Sequence, residues 1–390
     1  MKVRGSLCAT LWILLGVLGV AAPPAWANHL VLSANDGKYP NIDGVYKVAD
    51  PAPPDTLTVL DVSSFPPRVL AEIEVVHSPL GPPTGVALTP DEKLALVAAP
   101  MKVDPNDKTK LVPENVLQVV DLETSPPTVI ARVPMGRRPV GVSINRAGDL
   151  ALTANQTDGT ISVFTIRGKT VTHIGNVTIG DAKSLVSHVA ISPDGKWALA
   201  SKRGEGTVAV LTIDGTKVEY TKRDVTVGSN PYAVDISPDG RLAAVANVGR
   251  PSGDADTVSL IDMTLRPIRS VEHFTVGPSP EGIAISPDGQ WLAVSLHNGA
   301  NRPRNSPFRS ENGRLLLFSL QGFKATKVGE APIGKNIQGV TFTPDGKYLL
   351  VQNYVEQELA AYRVTPSGPE DTGVRIKVKG HPASIRIAPR

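Results

Sequence analysis

The chain has 390 residues, of which 41% are hydrophobic and 20% charged, so it can bury a core and is neither disordered nor a coiled coil. Its 40 lysine and arginine residues nearly balance 37 aspartate and glutamate residues, which leaves no strong net field to attract nucleic acid. A single cysteine, Cys8, excludes a disulfide framework.

The first 27 residues have the pattern of a secretory signal peptide. Lys2 and Arg4 precede an apolar run from Leu7 to Val20, and Ala25-Trp26-Ala27 is a small-x-small cleavage site. Because the run is shorter than the roughly 20 residues of a membrane span, an uncleaved anchor is the less favoured alternative. We predict cleavage after Ala27, a periplasmic or secreted location, and a mature domain over residues 28–390 without a membrane span.

A short repeat follows the predicted cleavage site. Each copy is an apolar quartet followed by a Ser/Thr-Pro-Asp-Gly turn, complete in four copies and degraded or truncated in three. The quartets begin at Val86, Val142, Val189, Val234, Ile283, Val340 and Ile385. Seven similar units at intervals of about 45 to 57 residues are typical of a β-propeller or another repeat array.

Each unit is predicted to contain four strands. The quartet is the first strand, and an apolar segment such as Trp197–Ala200 follows the turn as the second. The third alternates with period two, as in Thr207–Leu211, and the fourth ends in a pair such as Val227-Gly228. No stretch has sustained helical periodicity, so each unit is predicted to be a four-stranded antiparallel blade.

The two ends of the chain are predicted to complete one blade together. The seventh quartet has no strands after it, whereas the amino-terminal segment has three strands and no quartet, at Leu30–Ala34, Thr56–Leu60 and Val69–Val75. Pairing them would remove two open sheet edges. We therefore predict an all-β, seven-bladed propeller of four-stranded antiparallel blades, closed by pairing of its N- and C-terminal strands.

The repeat also carries a family resemblance. The pattern Ser-Pro-Asp-Gly-(Lys/Arg)-x-(Leu/Ala)-x-Val-x-Asn, followed by Thr-Val-x-Val-x-Asp, resembles bacterial YVTN-repeat propellers, which are similar to lactonase-type seven-bladed propellers. The resemblance covers residues 28–390 and implies an exported bacterial propeller. The lactonase family carries a histidine before Pro-Asp-Gly and Asp-Leu-Gly-x-Asp after it. Here Ser187 aligns with that histidine, and residues 201–206 replace the second motif.

One end of the predicted ring carries the long loops. Insertions follow the second strand of four blades, at residues 36–55, 100–114, 248–256 and 298–313, whereas the Pro-Asp-Gly turns at the opposite end stay short. Binding loops generally project from a rigid scaffold. We therefore expect the long-loop end to meet a ligand or partner. Aromatic residues that could anchor a partner protein there are Tyr39, Tyr46, Phe308 and Tyr354.

Polar residues at the strand ends of this face are the candidate site. Imidazoles can act as general bases, and cationic groups can hold a carboxylate, a phosphate or an oxyanion. The catalytic candidates are His188, His381, Arg138 and Lys202. The ligand-binding candidates are His297, Asn353, Arg203 and Glu281, although asparagine is also an ordinary turn residue. His188, His297 and His381 lack metal-ligand spacing, so no metal site is predicted.

Three functions fit these observations. The first is a binding or scaffold protein of the cell envelope that holds a small molecule or an envelope protein at the channel mouth. The second is a lactone hydrolase. The third is an oxidoreductase, or a subunit of one, with a bound cofactor that the sequence does not identify; c-type haem is excluded without cysteines in the mature chain. We expect a monomer that binds no nucleic acid.

Overall fold

The computed structural model describes Met1, residues 29–250 and residues 252–389. Apart from Met1, the predicted signal peptide lies outside the described residues. The rest forms seven four-stranded antiparallel sheets and a small two-stranded hairpin. In the part of the chain that is described, the helical structure is one 3₁₀ turn at Ala182–Ser184, and no helix there is long and apolar enough to cross a membrane.

The strands follow one another in chain order, and most of the connections between them are short. The amino-terminal strands are β1 (Leu30–Asp36), β2 (Asn41–Ile42), β3 (Val45–Tyr46), β4 (Asp55–Asp61) and β5 (Arg68–Val75). Blade 1 contains β6 (Val86–Leu88), β7 (Leu94–Val103), β8 (Leu111–Asp121) and β9 (Thr128–Pro134). Blade 2 contains β10 (Pro139–Ile144), β11 (Leu150–Asn155), β12 (Thr160–Arg167) and β13 (Thr170–Thr178). Blade 3 contains β14 (Val186–Ile191), β15 (Trp197–Lys202), β16 (Thr207–Asp214) and β17 (Lys217–Thr226).

The remaining blades repeat this order. Blade 4 contains β18 (Pro231–Ile236), β19 (Leu242–Asn247), β20 (Asp256–Asp262) and β21 (Arg269–Gly277). Blade 5 contains β22 (Pro280–Ile285), β23 (Trp291–Leu296), β24 (Gly313–Gln321) and β25 (Lys324–Ile333). Blade 6 contains β26 (Ile337–Phe342), β27 (Tyr348–Asn353), β28 (Glu358–Thr365) and β29 (Gly368–Lys377), and blade 7 combines β30 (His381–Ile387) with β1, β4 and β5.

The first strand of each blade surrounds a central channel. These inner strands, β6, β10, β14, β18, β22, β26 and β30, each contact the inner strands of both neighbouring blades. Behind them, apolar side chains of adjacent blades interlock in clusters with many fully buried alanines and valines, such as Ala198, Ala200 and Val189. Burial of this surface is the main force holding blade to blade. The predicted seven-bladed propeller is confirmed.

Closure of the ring is also confirmed. Strand β30 pairs antiparallel with β1 in blade 7, with Val31 opposite Ile387 and Ser33 opposite Ile385. Both Val31 and Ile385 are fully buried, and they pack with Leu60 of the same blade and Leu350 of blade 6. The two ends of the domain therefore share one sheet and one hydrophobic cluster.

The Pro-Asp-Gly turns are closed by side chains as well as by the backbone. In blade 4, the Ser237 hydroxyl donates to Asp239 Oδ1 over 2.6 Å and accepts the Leu242 amide over 3.0 Å. Gly240 has φ +72°, a conformation that residues with a side chain rarely adopt. The Ser/Thr-Pro-Asp-Gly sequence is therefore a compact turn in which each residue has a structural task.

One insertion differs from its sequence expectation. Residues 100–114 are not an irregular loop, because β7 and β8 continue their pairing past a bulge after Ala99, with Met101 opposite Pro113 and Val103 opposite Leu111. Apolar residues on both sides of the short turn at 104–110 allow the ladder to extend. Blade 1 thus carries a two-stranded ribbon that projects from the long-loop end.

Candidate functional site

Five polar side chains from four neighbouring blades form a group that we call the mouth cluster, at the long-loop end of the channel. Arg138 precedes β10, Arg203 follows β15, Tyr232 and Glu281 lie near the start of β18 and β22, and His297 follows β23. The start of an inner strand and the end of the next strand meet at the same end of a blade. The propeller therefore brings together residues that are up to 159 positions apart, Arg138 and His297.

Glu281 and His297 form a buried pair in blade 5. His297 Nε2 lies 3.3 Å from Glu281 Oε2, and both side chains are more than 90% buried. His297 Nδ1 is also buried and has no hydrogen-bond partner among the described residues. When Nε2 directs its proton at the carboxylate, the neutral ring presents a lone pair on Nδ1. The pair thus combines an oriented imidazole with a free basic nitrogen.

Two guanidinium groups lie in the same region. The Arg203 guanidinium stacks over the Tyr232 ring, 4.6 Å from its centroid, while Arg203 Nε donates to Asn230 Oδ1 over 2.9 Å. Burial, with the nearby Glu281 carboxylate, raises the pKa of Tyr232, whereas Arg203 and Arg138 act against that rise. Burial also lowers the pKa of Arg138, and its buried Nε has no partner within the described chain. The mouth cluster therefore faces one region with two cations and a carboxylate–imidazole pair.

The insertion at residues 36–55, here called the covering segment, extends from blade 7 towards blade 5. Its Tyr46 hydroxyl accepts a hydrogen bond from Asn336 Nδ2 over 2.7 Å, and burial with the nearby Glu281 charge raises the pKa of Tyr46. Gly44, at φ +82°, lies so close to the backbone of residues 302 and 303 that a Cβ there would clash. The covering segment therefore lies beside the mouth cluster.

Other site candidates have structural partners. Lys202 is buried, and its Nζ lies 2.6 Å from Glu205 Oε2 and 2.9 Å from Asp224 Oδ2. Asn353 donates to Glu358 Oε1 over 3.1 Å and accepts the Gly334 amide over 3.0 Å. Equivalent asparagines in blades 2, 4 and 7 bond to hydroxyls on the next strand; they are Asn155, Asn247 and Asn35. These contacts support a structural role at the strand ends.

The three histidines that the sequence analysis grouped have separate settings. His381 stacks on Tyr354 at 4.7 Å, with Nδ1 2.8 Å from the Tyr354 carbonyl and Nε2 3.1 Å from Gln357 Nε2. His188 lines a cavity towards the opposite end of the channel, and His297 belongs to the mouth cluster. Across the described ranges, no group of three or more His, Cys, Asp or Glu side chains could hold a metal ion.

The structure also revises the aromatic anchors and adds a residue. Tyr354 is fully buried, so it cannot present an exposed surface to a partner protein, whereas Phe308 is 49% exposed. Tyr232 was not predicted as a site residue. A signal for it exists, because Tyr232 and Glu281 each stand two positions before a repeat quartet. Aligning the repeats at that position would have added Tyr232 to the predicted Glu281.

The fold and this site define a class of protein: a closed seven-bladed β-propeller with a polar site at one mouth of its channel. Residues 170–281, less than a third of the chain, match the family model described as Lactonase, 7-bladed beta-propeller. The match begins at β13, the last strand of blade 2, includes blades 3 and 4, and ends in β22, the first strand of blade 5. The predicted resemblance to lactonase-like propellers is thereby confirmed. No curated protein matches the sequence.

Several solved structures share the fold. A putative 6-phosphogluconolactonase from Bacteroides uniformis is 20% identical, with a TM-score of 0.71 over 93% of this chain and 100% of that one. Pseudomonas aeruginosa periplasmic gluconolactonase PpgL is 18% identical, with a TM-score of 0.65 over 92% and 99%. Kuenenia stuttgartiensis hydrazine synthase is 19% identical, with a TM-score of 0.60 over 79% and 90%. At these identities the similarity extends to the fold alone.

Proposed function

We propose that this protein hydrolyses lactones at the mouth cluster. The observation that carries the proposal is His297, whose ring is held beside Glu281 while its buried Nδ1 has no partner among the described residues. An imidazole oriented by a carboxylate is a suitable general base for activating water. The lactonase family match and the gluconolactonase named among the structural neighbours support a lactone as the substrate class.

The proposed reaction gives direct roles to three members of the mouth cluster, His297, Arg138 and Arg203. Entry of the substrate is expected to open the covered His297 Nδ1 to one water. Nδ1 then takes a proton from that water as the water oxygen bonds to the lactone carbonyl carbon. The guanidinium groups of Arg138 and Arg203 stabilise the resulting oxyanion. The ring carbon–oxygen bond then breaks, and the departing alkoxide takes the proton back from the imidazolium. The product is an open-chain hydroxy acid, whose carboxylate the same guanidinium groups can bind.

We expect His297→Gln to lower kcat/KM for a lactone by about 10²- to 10⁴-fold, the usual effect of removing a general base. Glu281→Gln should lower it by at least about tenfold, because the neutral amide no longer favours the required imidazole tautomer. The measurement is acid release from a panel of γ- and δ-lactones of sugar acids, followed with purified wild-type and variant proteins.

His173→Gln is the matched control for this experiment. His173 lies on the outer strand of blade 2, where it contacts Asn176, so the same substitution should leave the rate unchanged. Circular dichroism of every variant separates a catalytic effect from loss of fold. The proposal fails if wild-type protein opens no lactone on the panel, or if His297→Gln hydrolyses lactones as fast as wild type.

The second candidate is a binding protein of the cell envelope. It would hold a small molecule at the same mouth without turnover. The observation that favours this binding role is the position of the covering segment beside the mouth cluster. The hydrogen bond from Asn336 to the Tyr46 hydroxyl holds the segment there. Calorimetric titration with sugar acids and their lactones distinguishes the two. Saturable binding without acid release would support the binding role, and it would count against hydrolysis.

We propose in addition that the chain is exported. The apolar run and cleavage site at the start of the sequence support this, and one structural neighbour is named as periplasmic. In a bacterial host we expect the protein in the periplasmic or culture fraction, with an amino-terminal sequence starting Asn28-His29-Leu30. Full-length protein retained in the cytosolic fraction would contradict the proposal, and a cytosolic marker enzyme controls for lysis.

A further inference from the structure

A cavity lies in the channel at the end opposite the mouth cluster. It has a volume of about 180 Å³ and is lined by the ends of the inner strands and by the prolines of their turns. Most of its wall is alanine, valine, isoleucine and proline. The charged and polar side chains among the lining residues include Arg386, Asp235, His188, Ser143 and Arg146. The lactone chemistry proposed above uses none of them.

Arg386 is the main unexplained group in this cavity. It lies on β30, and its guanidinium makes no hydrogen bond and no ion pair within 4.0 Å to any described residue. A guanidinium carries five N–H donors, and an apolar wall satisfies none of them. Burial lowers the pKa of Arg386, while the more distant Asp235 acts against that change. Arg386 is only partly buried, so its guanidinium, which has no direct partner among the described residues, is open to the cavity.

Asp235 does not neutralise Arg386 by direct contact. It lies on β18 of blade 4, across the ring from blade 7, and its Oδ2 accepts the Ile285 amide over 2.7 Å. Burial raises the pKa of this carboxyl, and Arg386 acts against the rise. The Asp235 carboxylate thus has a backbone partner on one oxygen, whereas the Arg386 guanidinium has none among the described residues.

His188 adds another donor. Its Nδ1 accepts the Val234 amide over 3.1 Å, so the proton of the neutral ring is on Nε2, for which no hydrogen bond is found among the described residues. Burial and the Arg386 charge lower the pKa of His188 well below its usual value, so the ring stays neutral. Gly141 leaves room for the ring, because a Cβ there would lie 2.4 Å from His188 Cδ2.

The charge balance favours an anion. Arg146 lies at the exposed edge of the cavity, where its Nη2 donates to the Pro238 carbonyl over 2.7 Å. Two guanidinium groups therefore face one carboxylate, and His188 adds no charge. The volume is below the roughly 300 to 1,000 Å³ of typical drug-sized ligand sites, so a small ion fits better than a sugar.

We propose that this cavity binds a small oxyanion, a short-chain carboxylate or inorganic phosphate, with Arg386 as its principal donor and His188 as a neutral second donor. The anion would occupy the cavity beside Arg386 and supply acceptors for its guanidinium and for His188 Nε2. The site is separate from the mouth cluster and does not depend on the proposed hydrolysis.

The test is calorimetric titration of the full chain with sodium acetate and, separately, with sodium phosphate, in chloride buffer. Wild-type protein should bind at least one of the two at millimolar concentration, and the stronger ligand identifies the class. Arg386→Gln should weaken binding at least about tenfold, because a charge-assisted contact is lost. Asp235→Asn should retain or strengthen binding, because it removes a negative charge facing the anion.

Arg269→Gln is the matched control, since it removes the same charge from an exposed position on the outer strand of blade 4. Should Arg386→Gln fail to fold, Arg386→Lys keeps the charge and reports on the loss of the guanidinium geometry. Absence of acetate and phosphate binding to wild type overturns the proposal. Equal loss of binding in Arg269→Gln and Arg386→Gln, or abolished binding in Asp235→Asn, would also overturn it.

Discussion

Ile385→Asp is expected to lower the free energy of unfolding by about 4 kcal/mol or more, because it places a carboxylate in a fully apolar setting and leaves a void. Ile385 is completely buried in the cluster that joins blade 7 to blade 6, and it lies opposite Ser33 in the closing pair of strands. The substitution therefore acts on inter-blade packing and on ring closure together. Guanidinium unfolding followed by circular dichroism measures the effect.

Ile130→Asp provides the comparison for that result. Ile130 lies on β9, the outer strand of blade 1, and is 42% exposed, so the same change should alter stability by less than about 1 kcal/mol. If Ile385→Asp unfolded at the same denaturant concentration as wild type, pairing of the chain ends would not be the contact that holds the ring closed.

Lys38→Met is expected to lower the free energy of unfolding by about 3 to 5 kcal/mol, because it leaves buried carboxylates without their counterion. Lys38 Nζ lies 2.7 Å from Asp55 Oδ2 and 3.1 Å from Asp36 Oδ1, and it also donates to the His77 carbonyl. These residues are all at least nine-tenths buried at the base of the covering segment. Loss of Lys38 should therefore loosen that segment as well as the domain.

The Lys38→Met effect should also depend on pH in a defined direction. Burial, with Asp55 nearby, raises the pKa of Asp36, and Lys38 acts against the rise. A carboxyl whose folded pKa is raised favours folding in its protonated form, so its contribution to stability falls as the pH rises through that pKa. The deficit of Lys38→Met relative to wild type should therefore be larger at about pH 8 than at about pH 5.

Lys102→Met serves as the control in these measurements. Lys102 pairs with Glu114 over 3.0 Å but its side chain is 45% exposed, so its loss should cost less than about 1 kcal/mol at either pH. A deficit for Lys38→Met no larger than that of the control, or one that grew as the pH fell, would contradict the buried network described here.

The blades and the closure were predictable because their information is local and repeated. Each Ser/Thr-Pro-Asp-Gly turn fixes a hairpin by itself, and alternation in segments such as Thr207–Leu211 identifies a strand without knowledge of its neighbours. The incomplete seventh unit then left one way to satisfy both sheet edges. The structure agrees with this prediction, including the pairing of β30 with β1.

The site was less predictable because the direction of a side chain, and its position along the channel, depend on residues that are distant in the sequence. His188 stands one position before its quartet, and Glu281 stands two positions before its own. Nevertheless, His188 lines the cavity at the end of the channel opposite the mouth cluster, whereas Glu281 pairs with His297 in the mouth cluster. Along a strand, a shift of one residue reverses the face on which a side chain lies. The position of the covering segment was likewise not encoded in any repeat.

The shared blade also makes one strand of this propeller exchangeable. Paired residues of β1 and β30 are 345 to 356 positions apart, from Asp36–His381 to Val31–Ile387, so a ring that opens between these strands exposes two complementary edges on a single chain. Two copies opened in this way could each donate β30 to the other, giving a reciprocal dimer with every ladder intact. High protein concentration during refolding would favour that exchange, and dilute refolding would favour the closed monomer.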